Sequence, residues 1–155
     1  MSKLEIQKAK LNDIPKIRAL INYESIENGT IKTRSLKELY MRIREIYVVR
    51  DEGKVVAGGA LRIHSENLAE INCFVVAPEY RRKNIGSKII KQLLDETKSY
   101  GIPRVISLTY TPGFFEEVGF VKGTKEELTQ KINNDCINCE RYPDRCKAEF
   151  YIKYL

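Results

Sequence analysis

One segment, Leu68–Ser87, constrains the fold of this chain more than any other stretch. Its first part, from Ala69 to Val76, is apolar and β-prone, which predicts a buried strand. Pro78 ends that strand, because proline has a fixed φ and no N–H to donate to a neighbouring strand. The chain therefore passes from a buried strand straight into the polar second part of the segment.

A basic turn and an amphipathic helix make up that second part. The turn contains three cations and two residues that tolerate tight turns: Arg81, Arg82, Lys83, Asn84 and Gly86. Apolar positions then recur on one helical face: Ile85, Ile89, Ile90, Leu93, Leu94 and Thr97. A helix N-terminus offers unpaired N–H groups and a partial positive charge, so this arrangement predicts a site for a pyrophosphate. A plain helix-capping turn is the alternative.

The six residues from Arg81 to Gly86 resemble the R/Q-x-x-G-x-G/A acyl-CoA signature of the GNAT superfamily of N-acetyltransferases. Asn84 replaces the first glycine, and asparagine is the non-glycine residue that best tolerates a left-handed conformation. The resemblance implies an α/β (α+β) fold, with a mixed, mostly antiparallel, splayed sheet flanked by helices. It also implies acetyl-CoA as cosubstrate and no metal in catalysis.

The resemblance assigns one group of residues to acetyl-CoA. These are Phe74, Val75, Val76, Arg81, Arg82, Lys83, Asn84, Ile85, Gly86, Ser87 and Phe115. Backbone N–H groups near Phe74 are expected to polarise the thioester carbonyl, and Val76 is expected to hold the pantetheine arm like an added strand. Phe115 stands where many members have a tyrosine that protonates the leaving thiolate, so the usual acid is missing here.

Composition indicates one folded domain. The chain has 155 residues, 43% of them hydrophobic, and we expect a single domain over residues 1–155. Its segment 133–155 contains cysteines and is expected to end in a strand. The net charge of +6 comes from dispersed cations that alternate with acidic residues, so we expect no nucleic-acid partner. Nothing resembles a signal peptide or a membrane span, which predicts a cytoplasmic protein without a membrane partner.

Periodicity predicts the remaining elements around the central strand. Strands are expected at 3–9, 46–49, 55–63 and 104–108. Helices are expected after Asp13 and Ser35, and a short helix is expected to open at Pro112. The second of these helices should carry a capping box and turn Leu36, Leu39, Tyr40 and Ile43 inward. Gly58 and Gly59, inside a predicted strand, indicate a bulge or a close backbone approach.

Four further segments narrow the resemblance to short amino-acid N-acetyltransferases of the N-acetylglutamate synthase type. They begin at Arg34, Leu68, Leu108 and Asp135, and read R-S-L-K-E-L-Y, L-A-E-I, L-T-Y and D-C-I-N-C. The resemblance implies transfer to the α-amine of a small amino acid, glutamate first, as in arginine biosynthesis. Asn72 departs from the family's usual arginine, so a different acceptor is an alternative. A protein N-terminal or lysine acetyltransferase and a non-catalytic CoA-binding regulatory module are further alternatives, and a homodimer is compatible with the sequence.

Two residues are candidates for proton transfer. Glu70 matches the glutamate that acts as general base in several superfamily members, often through a water molecule. A solvated or ion-paired carboxylate at a strand end is its alternative role. Tyr110, after the next strand, is the candidate acid for the departing thiolate or a contact to the acceptor, or else a packed tyrosine.

Four residues are candidates for acceptor binding: Arg34, Ser35, Asn72 and Tyr110. A guanidinium matches the two oxygens of an α-carboxylate, which favours Arg34 for that contact over the role of an exposed loop cation.

The cysteines carry no clear chemistry. Cys136, Cys139 and Cys146 form a C-x₂-C-x₆-C pattern, but a structural zinc site usually has four ligands. We therefore expect reduced thiols there, with a metal site or a disulfide as alternatives. Cys73, in the central strand, is expected to be a small buried hydrophobe.

Overall fold

The computed structural model describes residues 4–28, 31–134, 136–138 and 148–155. The strands are β1 (Glu5–Lys8), β2 (Ile46–Asp51), β3 (Lys54–Ser65), β4 (Leu68–Val76), β5 (Arg104–Thr109), β6 (Val121–Lys122) and β7 (Glu149–Tyr154). The α-helices are α1 (Ile14–Asn28), α2 (Leu36–Met41), α3 (Ile85–Ser99), α4 (Pro112–Glu117) and α5 (Lys125–Asn134). Within the described ranges, no helix combines the length and apolarity needed to cross a bilayer.

The strands form one sheet in the order β1-β2-β3-β4-β5-β7-β6. Every neighbouring pair is antiparallel except β4 and β5, which run parallel and pair only at Ala69 with Val105 and at Glu70 with Ile106. Beyond Glu70 the two strands separate, so the sheet opens into a V. This confirms the predicted mixed, mostly antiparallel, splayed sheet flanked by helices.

Helices cover both faces of the sheet, because successive strand residues point to opposite sides. On one face, the apolar stripe of α3, centred on Ile89 and Leu93, packs against Tyr47 and Val49 of β2. On the other face, α1 and α2 pack against residues that include Val48. The predicted apolar stripe of α3 is confirmed, since all six of its residues are buried.

Two glycines let these helices approach β3 from opposite sides. A Cβ built on Gly58 would lie 2.6 Å from Ile17 Cδ1, and one built on Gly59 would lie 2.9 Å from Ile89 Cγ2. Real Cβ contacts at these distances essentially never occur, so a side chain at either glycine would force Ile17 or Ile89 to move. The predicted close backbone approach at Gly58 and Gly59 is therefore confirmed.

The prediction for α2 was partly wrong. Ser35 caps the helix and accepts a hydrogen bond from Glu38 N at 3.1 Å, as expected. Leu39 is buried, but Tyr40 is 41% exposed rather than turned inward. Leu39 is the buried residue of α2, and Tyr40, about 100° further round the same helix, falls at the edge of the buried face.

A buried ion pair fixes the start of α1 to the sheet. Asp13 is 1% exposed and accepts hydrogen bonds from Lys10 N at 2.7 Å and from Arg50 Nε at 2.9 Å. Burial raises the pKa of Asp13, but the bonds from Arg50 and Lys10 outweigh it and hold that pKa below the ordinary 3.8. Asp13 therefore contributes stability that is complete above pH 3.8 and is lost as the pH falls through its lower folded-state pKa.

We predict that Asp13→Asn lowers the free energy of unfolding at pH 7 by about 1.5–3 kcal/mol, the usual worth of a hydrogen bond to a charged partner. Urea titrations at pH 7, 5 and 3 should show the deficit shrinking at the lowest pH. The control is Asp95→Asn, which breaks an exposed pair with Lys91 and should cost only a few tenths of a kcal/mol. A deficit that is equal at all three pH values would contradict this account.

Candidate active site

The separation of β4 and β5 creates two cavities that meet at the middle of β4. A cavity of about 610 Å³ runs from the basic turn along β4, and one of about 400 Å³ lies on the other side, next to Glu70. Both are lined by Ile31, Phe74 and Thr111. We refer to them as the donor cleft and the acceptor cavity.

The donor cleft collects most of the residues that the signature assigned to acetyl-CoA. Its lining includes Phe74, Val75, Val76, Arg81, Arg82, Asn84, Ile85, Gly86 and Ser87. Lys83 does not line it; its Nζ lies 5.2 Å from the centroid of the Tyr80 ring, and the residue lines a separate groove. The edge of β4 beyond Glu70 faces this cleft without a strand partner on the β5 side among the described strands, so it can pair with an extended ligand.

The turn before α3 has the backbone of an anion site. Arg82 and Asn84 have φ values of 63° and 62°, so both are left-handed, as expected for Asn84. A Cβ built on Gly86 would lie 3.1 Å from Phe74 Cζ and 3.2 Å from Phe114, so a side chain here would crowd the cleft. Arg81 reaches the cleft floor, where it pairs with buried Glu24 at 2.7 Å and donates to Val76 O at 3.2 Å.

Cations outnumber carboxylates in the acceptor cavity. Its basic lining residues are Lys32, Arg34, Arg42, Arg62 and Lys131, and its acidic lining residues are Glu38 and Glu70. The predicted acceptor residues Asn72 and Tyr110 also line it, whereas Ser35 does not, because its hydroxyl caps α2. Tyr110 follows β5 and is partly buried.

Glu70 is buried at the splay point rather than solvated. It is 2% exposed, and its Oε1 contacts His64 Nε2 at 2.8 Å and Lys131 Nζ at 3.0 Å. Its Oε2 has no hydrogen bond or ion pair with the described residues, and Glu70 lines the acceptor cavity. Burial raises the pKa of Glu70, but the His64 hydrogen bond and the Lys131 charge outweigh it, so the pKa lies below the usual range. The carboxylate is therefore ionised at neutral pH.

The partners of Glu70 were not found from the sequence. The side chain of His64 is fully buried, and its Nδ1 lies 2.8 Å from Asn134 Nδ2, which leaves Nε2 to donate to Glu70. Lys131 and Asn134 both come from α5, far along the chain. In the sequence, only their spacing of three residues, which places them on one helix face, hints that they act together. Many solvent-exposed helices carry polar residues at this spacing, so it does not predict a site.

Two arginines of the acceptor cavity differ in how completely they are used. Arg42 is 7% exposed and donates to Asn72 Oδ1 at 2.6 Å, to Glu45 Oε1 at 3.0 and 3.1 Å, and to Glu38 Oε2 at 3.3 Å. Arg34 donates from Nη1 to Glu38 Oε2 at 2.7 Å, while its buried Nε has no acceptor among the described residues. Arg34 therefore has hydrogen-bonding capacity left for a ligand, and Arg42 has little.

An aromatic cluster separates the cavities from the core. The rings of Phe74 and Phe114 stack with centroids 5.1 Å apart, and Phe114 lines the donor cleft. Phe115 is 2% exposed, packs edge-on against Phe74 and Phe120, and lines the acceptor cavity instead. The sequence thus missed Phe114, the residue of this pair that faces the donor cleft.

Beside Phe74, strand β4 contains a bulge. Gly58 pairs with Val75 and Ala60 with Asn72, so Gly59 alone faces both Cys73 and Phe74. Cys73 has a φ of 52°, which non-glycine residues seldom adopt inside a strand. The predicted burial of Cys73 is confirmed, with 3% of it exposed. The cysteine pattern at 136, 139 and 146 lies outside the residues whose side chains the structure describes, so its chemistry stays a prediction.

Comparison with known proteins decides the family. The sequence profile of the Acetyltransferase (GNAT) family matches residues 17–120, two thirds of the chain. The chain belongs to the GNAT family. This GNAT protein is an N-acetyltransferase, and membership confirms the predicted use of acetyl-CoA.

Relatives of the GNAT protein include several amino-acid acetyltransferases. It is 30% identical over 136 residues to an uncharacterized N-acetyltransferase of Chlorobaculum tepidum, covering 88% of this chain and 87% of that one. It is 28% identical over 148 residues to an amino-acid acetyltransferase of Mycobacterium tuberculosis, covering 94% and 82%. The Shewanella oneidensis amino-acid acetyltransferase is 31% identical over 128 residues, but the match spans only 28% of its length.

Solved structures of the same fold include an N-acetylglutamate synthase from Neisseria gonorrhoeae, complexed with coenzyme A and N-acetyl-glutamate. It superimposes with a TM-score of 0.85 at 24% identity, over 100% of this chain and 36% of that one. A Mycobacterium tuberculosis protein complexed with CoA superimposes with a TM-score of 0.83 at 24% identity, over 97% and 99% of the two chains.

We predict that Gly86→Glu abolishes CoA binding, because its side chain and negative charge would enter the cleft beside the phosphate turn. Gly113→Glu adds the same charge where a built Cβ meets no atom within 4 Å, and should leave the Kd within about two-fold. Calorimetry with CoA on both folded variants makes the comparison. Equal affinity in the two would show that the turn before α3 does not hold CoA.

Proposed function

We propose that this N-acetyltransferase acetylates the α-amine of a small acidic amino acid, with glutamate as the first candidate. The observation that carries the proposal is the acceptor cavity, which is rich in cations and opens onto the donor cleft at Phe74. An acceptor with two carboxylates would offset that positive charge, whereas a neutral acceptor would leave it uncompensated in a partly buried space.

The donor side follows from the exposed edge of β4 and from the turn before α3. The pantetheine arm pairs with the edge beyond Glu70 as an added strand, which brings the thioester to Phe74. The pyrophosphate lies at the N-terminus of α3, where N–H groups and the partial charge of the helix favour an anion. The presence of CoA in the gonococcal and mycobacterial neighbours supports CoA as the ligand of this fold.

On the acceptor side, Arg34 is the group proposed to hold the α-carboxylate. Its Nη1 is fixed by Glu38, which orients the guanidinium, and its Nε is buried without a partner among the described residues. A buried donor without an acceptor is costly, so a carboxylate oxygen at that position would gain more than one at an exposed cation. The amino-acid acetyltransferases among the relatives, and N-acetyl-glutamate in the gonococcal structure, support this acceptor class.

Glu70 is proposed to receive the proton of the acceptor amine, directly or through a water molecule. Oε1 is anchored by His64 and Lys131, while Oε2 is available to the cavity. The free amine attacks the thioester carbonyl and the C–N bond forms, the nitrogen then loses its extra proton to solvent, and the C–S bond breaks to release CoA as a thiolate. Tyr110 is the proposed proton donor to that thiolate. Holding both substrates at one point supplies much of the acceleration.

We predict that Glu70→Gln lowers kcat by roughly 10²–10⁴-fold and leaves the affinity for CoA nearly unchanged. The pKa of Glu70 is below its usual range, so this carboxylate does not titrate between pH 6 and 9. The acid limb of the rate profile should therefore follow the acceptor's ammonium, and the defect should shrink at high pH, where free amine is abundant.

Thiol release measured from pH 6 to 9 with both proteins tests this role. The control is Glu117→Gln, a carboxylate that lines the donor cleft rather than the acceptor cavity. A Glu70→Gln enzyme with the wild-type rate at neutral pH would make Glu70 a structural residue.

We predict that Arg34→Ala raises KM for glutamate at least ten-fold and leaves KM for acetyl-CoA nearly unchanged. One charge-assisted hydrogen bond is worth about 1.5–3 kcal/mol, which corresponds to a factor of that size. Arg44→Ala, which removes an exposed cation of the same region, should change neither value.

An amino-acid panel run with the wild-type enzyme supports this test. Acidic amino acids should be turned over faster than their amides, because only they offset the cationic cavity. If no free amino acid is acetylated but peptides with a free N-terminus or lysine are, the acceptor is a protein and the proposal fails.

A further inference from the structure

Arg42 lies where the bulge of β4 begins, and it holds both residues on that side of the bulge. It donates to Asn72 Oδ1 at 2.6 Å, and its Nη1 lies 3.8 Å from Cys73 Sγ. Its Nε and Nη2 are held at the same time by Glu45 Oε1, and its Nη1 by Glu38 Oε2. The guanidinium therefore connects the segment after α2 to the two residues that precede Phe74.

The bulge needs such support, because Cys73 adopts a backbone conformation that is unfavourable for most residues other than glycine and asparagine. Its φ of 52° lies in the left-handed region, where a Cβ crowds the following peptide. Such a conformation persists only where the surrounding structure enforces it. On the β3 side, Gly59 packs directly under α3 and supplies no side chain that could do so.

The left-handed conformation of Cys73 determines the direction in which the following peptide group, which carries the Phe74 N–H, points. A strand without the bulge would keep the N–H of Phe74 in the ladder with β3, whereas the extra residue turns the backbone at Phe74 out of that register. Phe74 lines both cavities, so its backbone is the part of β4 that a thioester between the two substrates would meet.

We infer that Arg42 is a positioning residue: it holds Asn72 and Cys73 so that the bulge presents the Phe74 N–H to the thioester oxygen. This inference rests on the proposed placement of the thioester. Arg42 lines the acceptor cavity, but it is not assigned a hydrogen bond to either substrate, because its donors are already used by Asn72, Glu45, Glu38 and Cys73. Position 72, where the family resemblance expects an arginine, is Asn72 in this chain. The side-chain carbonyl of Asn72 accepts a hydrogen bond from Arg42, which comes from the turn after α2.

The inference is tested with Arg42→Met, combined with substitutions at Cys73. Arg42→Met should lower kcat ten- to hundred-fold, while KM for acetyl-CoA and the Kd of CoA stay within two-fold. Glycine adopts a positive φ without support, so Cys73→Gly in the Arg42→Met background should return kcat to within three-fold of the Cys73→Gly single variant. Arg44→Met, an exposed arginine of the same 3₁₀ turn, is the matched control and should keep the wild-type kcat.

Cys73→Val tests the bulge without substituting Arg42, and it removes only the weak contact of Arg42 with the Cys73 sulfur. A β-branched residue resists the left-handed region, so this variant should reproduce the kcat defect of Arg42→Met even if that variant does not fold. Turnover is measured with whichever amine the wild type acetylates fastest, or as slow acetyl-CoA hydrolysis, so a wrong acceptor in the proposed function leaves the comparison intact. Unchanged kcat in Cys73→Val, or loss of CoA binding together with kcat, would overturn the inference. If Arg42→Met folds, a kcat defect that Cys73→Gly does not relieve would also overturn the inference.

Discussion

The two cavities of this protein exist because β4 and β5 form only a short parallel ladder. Two residue pairs join them, at Ala69 and Glu70, and the strands then separate. Parallel strands normally share a long ladder, and the groups left unpaired here need other partners. Ser107 meets part of that need by donating its hydroxyl to Ile71 O at 3.2 Å, just past the last pair. The remaining edge is available to a ligand, so the irregularity of the sheet is what provides the donor cleft.

The electrostatic character of each cavity follows from the same opening. The donor cleft ends at a helix N-terminus with flanking cations, which suits a group of concentrated negative charge. In the acceptor cavity two arginines are paired with acceptors to different degrees. Arg42 is surrounded by acceptors and behaves as part of the scaffold, whereas Arg34 shares one carboxylate and keeps a buried N–H unused. Two arginines that line the same cavity thus have different roles: one stabilises the scaffold and the other is available to a ligand.

The local part of this architecture could be predicted from the sequence, and the non-local part could not. The strand, the turn and α3 are marked by short-range patterns, and even the left-handed Asn84 follows from the chemistry of one residue. Lys131 and Asn134 reach Glu70 only because the chain returns to the sheet through α5, and a helix face does not reveal what it will contact. Which of Phe114 and Phe115 faces the donor cleft depends on the rotation of α4 about its axis, because adjacent helix residues point in different directions. That rotation is set by where α4 docks, and α4 is too short for periodicity to fix it.

The position of β7 has a consequence for how the protein is made. Among the described strands this one comes last in the sequence, yet it lies between β5 and β6 and pairs with β5 at six positions. While the chain is still emerging from the ribosome, β5 can pair only at its short contact with β4, so an apolar strand edge stays open until the last strand arrives. Open edges of this kind recruit other chains. We therefore expect a chain truncated before β7 to be more prone to aggregate than one that carries this strand, because β7 covers the edge of β5.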